Sequence, residues 1–147
     1  MKKHIFLVDD DTEEMRFFVA ALKELGDAYK CTYASTGAHA LKMLKYLTPE
    51  IIFINYNMSE MNGLELTGEI RKMNELKHTP VFLYFTYIDT DSRQKALTMG
   101  PTHCIKKPAH IVSITEVLKE VFEPEAVAIS LNLPNATSLE KYPQPRV

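Results

Sequence analysis

The chain has 147 residues, 46% of them hydrophobic, and a net charge of −2, which predicts one domain with a real core plus a tail. This charge excludes binding to nucleic acid through bulk positive charge. The two cysteines lack metal-ligand spacing, and the N-terminal apolar run, residues 5–8, is too short for a signal peptide or a membrane span. We therefore expect a soluble protein of the reducing cytoplasm, with no membrane partner.

Five short apolar runs predict strands, and a helical pattern follows each of them. Five strands that alternate with five helices indicate an α/β fold, in which helices cover both faces of a doubly wound parallel sheet. The strands are predicted at residues 4–9, 29–34, 51–54, 81–86 and 103–106. The helices are predicted from Asp11 to Gly26, from Gly37 to Thr48, over 64–76, over 90–99 and after Pro108.

The third strand and the loop after it are the most informative stretch of the chain. Residues 51–54, IIFI, read as a strand that is buried on both faces, and Asn55 stands at its end. Asn62 and Glu65 predict the start of the next helix, as Asp11 and Glu14 do for the first helix. Ligands of open parallel sheets bind beyond the carboxyl ends of the strands, so Asn55 lies where chemistry is expected.

Polar side chains follow four of the five strands. Asp9 and Asp10 follow the first, Asn55 the third, Thr86 the fourth and Lys107 the fifth. Each alone has an ordinary structural explanation, such as a helix cap or a solvated lysine. Together they predict one site, because the ends of parallel strands share an edge. Carboxylate and loop oxygens suit Mg²⁺, and a hydroxyl and an ammonium suit phosphoryl oxygens.

The sequence resembles the receiver domain of two-component response regulators over residues 4 to about 122. The matching segments, in order, are IFLVDD, IIFINYNMSEMNGLEL, YFT and IKKP. The resemblance implies a receiver domain over residues 1–122 with the CheY-like strand order 2-1-3-4-5. It also implies a cis Lys107–Pro108 bond. The site residues that it implies are Asp9, Asp10 and the carbonyl of Asn57 for the metal, Thr86 as the switch hydroxyl and Lys107 as the phosphate contact.

Four positions depart from the family pattern. Asn55 replaces the phosphoacceptor aspartate, and a carboxamide is too poor a nucleophile to form an acyl phosphate. Ser59 stands in place of a proline, Tyr87 in place of a small residue whose pocket its ring would crowd, and Cys104 in place of the switch aromatic. A laboratory substitution would explain Asn55 alone, so the four together favour natural divergence.

These departures predict a receiver that signals by protein–protein interaction without aspartyl phosphorylation, and that is not an enzyme. Its expected partners are a histidine kinase, a phosphotransfer protein or a downstream signalling protein, and a homodimer is left open. Mg²⁺ is the one expected cofactor, weakened by Asn55. The alternative is a phosphorylatable regulator, in which Asn55 is an engineered block or another carboxylate, such as Asp10, accepts the phosphoryl group.

A flavin or nucleotide carrier on the same architecture is the third class considered. Such proteins need an anion cradle after the first strand, where this chain has three carboxylates. The tail, residues 123–147, is expected to contain no output domain. Its alternating apolar residues predict a strand that packs on its own domain, joins a sheet edge or grips a partner. They are Val127, Ile129, Leu131 and Leu133.

Overall fold

The computed structural model describes residues 2–108 and 111–123, and of residues 111–113 it describes the backbone alone. Five parallel strands form one sheet with the order β2-β1-β3-β4-β5, which confirms the predicted fold and strand order. The third strand is buried along its whole length, as its unbroken apolar run predicted. The strands are β1 (Lys3–Val8), β2 (Tyr29–Ala34), β3 (Ile51–Asn55), β4 (Val81–Phe85) and β5 (Thr102–Lys106).

Helices cover both faces of the sheet and enclose two apolar cores. Ala40, Leu66 and Ala96 belong to the core between the sheet and α2, α3 and α4. Phe18 and Leu118 belong to the core on the α1 and α5 face. The helices are α1 (Thr12–Glu24), α2 (Gly37–Leu44), α3 (Gly63–Arg71), α4 (Thr90–Leu97) and α5 (Ile111–Phe122).

Two helices, α2 and α3, end more than two residues earlier than predicted. The end of α2 is Leu44 rather than residue 48, and the amide of Tyr46 bonds to the Met43 carbonyl in a tighter turn. Instead of running to residue 76, α3 ends at Arg71 and a short 3₁₀ helix follows at Asn74–Leu76. The Arg71 guanidinium donates to the carbonyl oxygens of this turn and so holds the chain in it.

The predicted cis bond between Lys107 and Pro108 is wrong. The described residues contain no cis peptide bond, so this one is trans. The trans form is favoured by about 0.5–1 kcal/mol even before proline, and the local geometry here does not reverse that preference.

The start of α3 lies against the end of β3, and Gly63 permits this approach. A Cβ at Gly63 would lie 2.8 Å from the Tyr56 Cα and 3.1 Å from the Asn55 carbonyl oxygen. We expect Gly63→Ala to lower the free energy of unfolding by about 2 kcal/mol, because backbone must shift to admit the methyl group. Urea unfolding monitored by circular dichroism measures this change.

Gly68 in the same helix is the matched control. The nearest atom to a Cβ there is the Met99 Cε, 4.0 Å away. We expect Gly68→Ala to raise stability by up to about 1 kcal/mol through helix propensity. Equal effects of the two substitutions would show that the contact at Gly63 is unimportant.

No helix within residues 2–108 and 111–123 is long and apolar enough to cross a membrane. The predictions for the tail, including its alternating segment, concern residues outside the described part of the chain apart from Glu123.

Candidate functional site

The sheet brings Asp9 and Asn55 into contact, as their positions after β1 and at the end of β3 predicted. Their neighbours Val8 and Ile54 are paired in the parallel register. Asp9 and Asn55 are only 2% and 3% exposed. The Asn55 Nδ2 donates a hydrogen bond to the Asp9 Oδ1 over 3.1 Å. Asn55 therefore donates a hydrogen bond to Asp9. An ionised aspartate at position 55 could not donate one.

Asn57 fixes the orientation of the Asn55 amide. The Asn57 backbone N–H, which can only donate, bonds to the Asn55 Oδ1 over 3.2 Å. The Asn55 Nδ2 consequently faces Asp9 and also lies 3.4 Å from the Asn57 carbonyl oxygen. The Asp9 carboxylate and the Asn57 carbonyl are the groups that the family resemblance assigned to the metal, and here both accept from one amide nitrogen.

Asp9 is the most perturbed acid of the described chain. Its Oδ1 also accepts from the Asp11 backbone N–H over 2.9 Å. Burial raises the pKa of Asp9 to about 7, and Glu14 adds to this rise through a side-chain hydrogen bond and charge repulsion. The hydrogen bond from the Asp11 amide and the charge of Lys107 lower the pKa of Asp9.

Asp10 is exposed and is bonded to Ser59, the residue found where the family pattern has proline. The Asp10 Oδ2 accepts from the Ser59 backbone N–H over 3.2 Å and from its Oγ over 3.4 Å. A proline has neither donor. The departures at residues 55 and 59 therefore have the same effect, since each supplies donors to one of the two acidic residues.

The side chain of Asn57 links the loops after β3 and β4. Its Oδ1 accepts from the Thr86 backbone N–H over 3.0 Å, and its Nδ2 donates to the Tyr87 carbonyl oxygen over 3.2 Å. Thr86 is exposed beside this link, at the edge of the sheet where the sequence analysis predicted it. Sequence reasoning assigned Asn57 only a backbone role and missed this side-chain link.

Lys107 lies at the same edge but is bonded to Glu14. Its Nζ is 3.0 Å from both the Oε1 and the Oε2 of Glu14, and 5.6 Å from the centre of the Tyr84 ring. Glu14 was predicted only to help cap α1. Asp11 caps that helix by accepting from the amides of Glu13 and Glu14. No sequence pattern indicates the ion pair, because 93 positions separate its partners.

The remaining two departures are at Cys104 and Tyr87. Cys104 is buried in the core on the α2, α3 and α4 face, and burial raises the pKa of its thiol. Tyr87 is 71% exposed, and the crowding of the pocket mouth by its ring stays a prediction.

The arrangement contains the hard oxygen ligands that Mg²⁺ prefers, namely two carboxylates and a carbonyl. These oxygen groups are therefore chemically suitable ligands for Mg²⁺. However, the Asp9 Oδ1 and the Asn57 oxygen already accept from Asn55, and Asp10 accepts from Ser59. Over the described residues, no group of three or more His, Cys, Asp or Glu side chains is placed to hold a metal ion.

Comparison with known proteins agrees with this fold. The sequence profile of the response regulator receiver domain matches residues 5–119. Chemotaxis protein CheY-3 of Vibrio cholerae is 31% identical over 119 residues, which cover 81% of this chain and 91% of that protein. The structure of the phosphorylated cyanobacterial phytochrome response regulator RcpA superposes with a TM-score of 0.75, at 24% identity, over 84% of this chain and 93% of that chain. Response regulator TrrA of Thermotoga maritima, solved in complex with Mg²⁺-BeF, gives a TM-score of 0.66 at 25% identity over 82% of this chain and 99% of that chain. The chain therefore belongs to the response regulator receiver domain family.

Proposed function

We propose that this receiver acts in two-component signalling through protein–protein interaction, without phosphorylation of residue 55. The observation that carries the proposal is the bonding of the Asn55 amide. Its nitrogen donates to Asp9 and to the Asn57 carbonyl, and its oxygen accepts from the Asn57 backbone N–H. Because the Asn55 nitrogen faces Asp9 and the Asn57 carbonyl, the side chain presents no nucleophilic oxygen on that side to an incoming phosphoryl donor.

The same bonds support a weakened Mg²⁺ site. A metal ion bound here would be held by Asp9, Asp10 and the Asn57 carbonyl, and would supply charge neutralisation for phosphoryl oxygens. The ion competes with the Asn55 amide and the Ser59 donors for the oxygens of these groups. The neutral Asn55 oxygen also offsets less of the free energy needed to dehydrate the ion than a carboxylate would.

We expect Asn55→Asp to bind Mg²⁺ at least about tenfold more tightly than the unchanged protein, because it adds a charged ligand and removes the competing amide. Calorimetric titration with Mg²⁺ measures the two dissociation constants. Ser59→Pro, which removes both donors to Asp10, should tighten binding by a smaller factor. Equal affinities for all three proteins would contradict the assigned role of these donors.

A protein that works this way depends on its partners rather than on its own chemistry. The partner is a histidine kinase, a phosphotransfer protein or a downstream signalling protein of the cytoplasm, and the chain itself performs no catalysis. The alternative function keeps phosphorylation and places it on another carboxylate. One observation favours it: Asp10 is exposed at the same edge and so can be reached by a phosphodonor.

The response to a phosphoryl mimic tests the proposal. Beryllofluoride is added to the protein and to Asn55→Asp, each already saturated with Mg²⁺, and amide resonances are recorded by NMR. We expect beryllofluoride to cause no further change at the strand ends of the unchanged protein, and shifts around residues 55, 86 and 107 in the variant. Saturable shifts in the unchanged protein, centred on Asp10, would establish the alternative instead.

A further inference from the structure

The ammonium of Lys107 is paired with a carboxylate that comes from another element of the fold. Glu14 in the first turn of α1 binds it with both carboxylate oxygens, each at 3.0 Å. The Lys107 and Glu14 side chains are only 12% and 32% exposed, so solvent screens this pair less than a surface pair. Within the described residues, Lys107 makes no hydrogen bond to Asn55.

The position of Glu14 is fixed by the local sequence. Asp11 caps α1 through the amides of Glu13 and Glu14, and this places the Glu14 side chain beside Asp9 and towards Lys107. Asn55 is neutral and Asp9 acts on Lys107 through its charge, so Glu14 is the carboxylate that bonds directly to the half-buried ammonium of Lys107. A partly buried charge without a bonded partner is unfavourable, and Glu14 lowers that cost.

We propose that Glu14 is a positioning residue that takes the charge role vacated at residue 55 and withholds Lys107 from any oxyanion bound there. The site is then blocked twice, once by the amide of Asn55 and once by the carboxylate of Glu14. This inference rests on the proposed function, in which residue 55 accepts no phosphoryl group. It implies that an aspartate restored at residue 55 must compete with Glu14 for the lysine.

The test measures how fast a restored acceptor is phosphorylated. Asn55→Asp, Asn55→Asp with Glu14→Gln, and Asn55→Asp with Glu13→Gln are incubated with Mg²⁺ and acetyl phosphate. The aspartate oxygen bonds to phosphorus as the bond to the departing acetate breaks, and intact mass follows the product. We expect Glu14→Gln to raise the rate about tenfold, a ratio within the range for coupled charges in contact.

Glu13 is the matched control, since it is exposed, adjacent and of the same charge. Glu13→Gln should leave the rate within about twofold of the single variant, as expected for an exposed charge that solvent screens. Glu14→Ala removes the carboxylate in a second way and should act like Glu14→Gln. Equal rates with and without Glu14 would overturn the inference.

A variant without Lys107 distinguishes an effect of Glu14 through Lys107 from direct charge repulsion between Glu14 and the phosphodonor. In an Asn55→Asp, Lys107→Ala background, Glu14→Gln should no longer raise the rate. A gain that persists without Lys107 would also overturn the inference. Phosphorylation of the unchanged protein is a different result, because it would contradict the proposed function, whereas the ratio between the Glu14 variants would still report on Lys107.

Discussion

Replacing Arg71 with methionine is expected to lower the free energy of unfolding by about 3 kcal/mol or more. The Arg71 guanidinium joins two segments of the fold at the end of α3. Its donors bond to backbone oxygens in the turn after α3 and in the segment before β5, and to one hydroxyl. The acceptors are the carbonyls of Leu76, Lys77, Thr79, Met99 and Pro101, and the Thr102 Oγ1.

The size of this effect follows from the number of acceptors left without donors. Burial lowers the pKa of Arg71 to about 10, so the group still carries its charge at neutral pH. Arg71→Lys should recover only part of the loss, because an ammonium has three donors and lacks the planar fork. Chemical unfolding of the unchanged protein, Arg71→Met and Arg71→Lys measures the differences in the free energy of unfolding.

Lys72 provides the control for Arg71. It is the next residue, and its ion pair with Glu69 lies on the surface. Lys72→Met should change stability by less than about 0.5 kcal/mol. If Arg71→Met were as mild as Lys72→Met, the bonds of Arg71 would not be what holds the two segments together.

Changing Asn55 to aspartate is expected to lower the free energy of unfolding in chelator by about 3 kcal/mol. The substitution removes the donor to the Asp9 Oδ1, 3.1 Å away, and the donor to the Asn57 carbonyl. It also places a second carboxylate against the buried Asp9, whose pKa is already raised to about 7 by burial and by Glu14. Adding Mg²⁺ should restore much of the loss, because the ion binds only the folded site.

Asn62→Asp is the matched control for this charge change. Asn62 caps α3 by accepting from the Glu65 amide over 2.9 Å. A carboxylate at a helix N-terminus is favourable, so stability should change by no more than about 0.5 kcal/mol. Asn55→Asp that proves as stable as the unchanged protein in chelator would show that the carboxylates at this edge do not repel as described.

Much of the fold was accessible from the sequence because its signals are local. The unbroken run at residues 51–54 identified the buried central strand, and the caps at Asp11 and Asn62 identified two helix starts. The polar residues at the strand ends followed from topology, since parallel strands end at one edge. Asp9 and Asn55 meet at that edge as predicted, and the hydrogen bond between them is a finding of the structure.

The bonds that complete the site were not accessible, because they join residues distant in the chain. No periodicity connects Glu14 with Lys107, or Ser59 with Asp10. The early end of α3 was missed for a related reason: Arg71 bonds to backbone carbonyls, and carbonyls carry no sequence signal. The trans geometry of Lys107–Pro108 was missed because the expectation came from the family alone.

The central claim is that the unchanged protein accepts no phosphoryl group. Intact mass after incubation with Mg²⁺ and acetyl phosphate tests it most directly, with Asn55→Asp treated in parallel. We predict that the unchanged protein keeps its mass and that the variant gains one phosphoryl group, which would show that the rest of the site is competent. A phosphoryl group on the unchanged protein would contradict the account, and mapping the modified residue would then identify the acceptor.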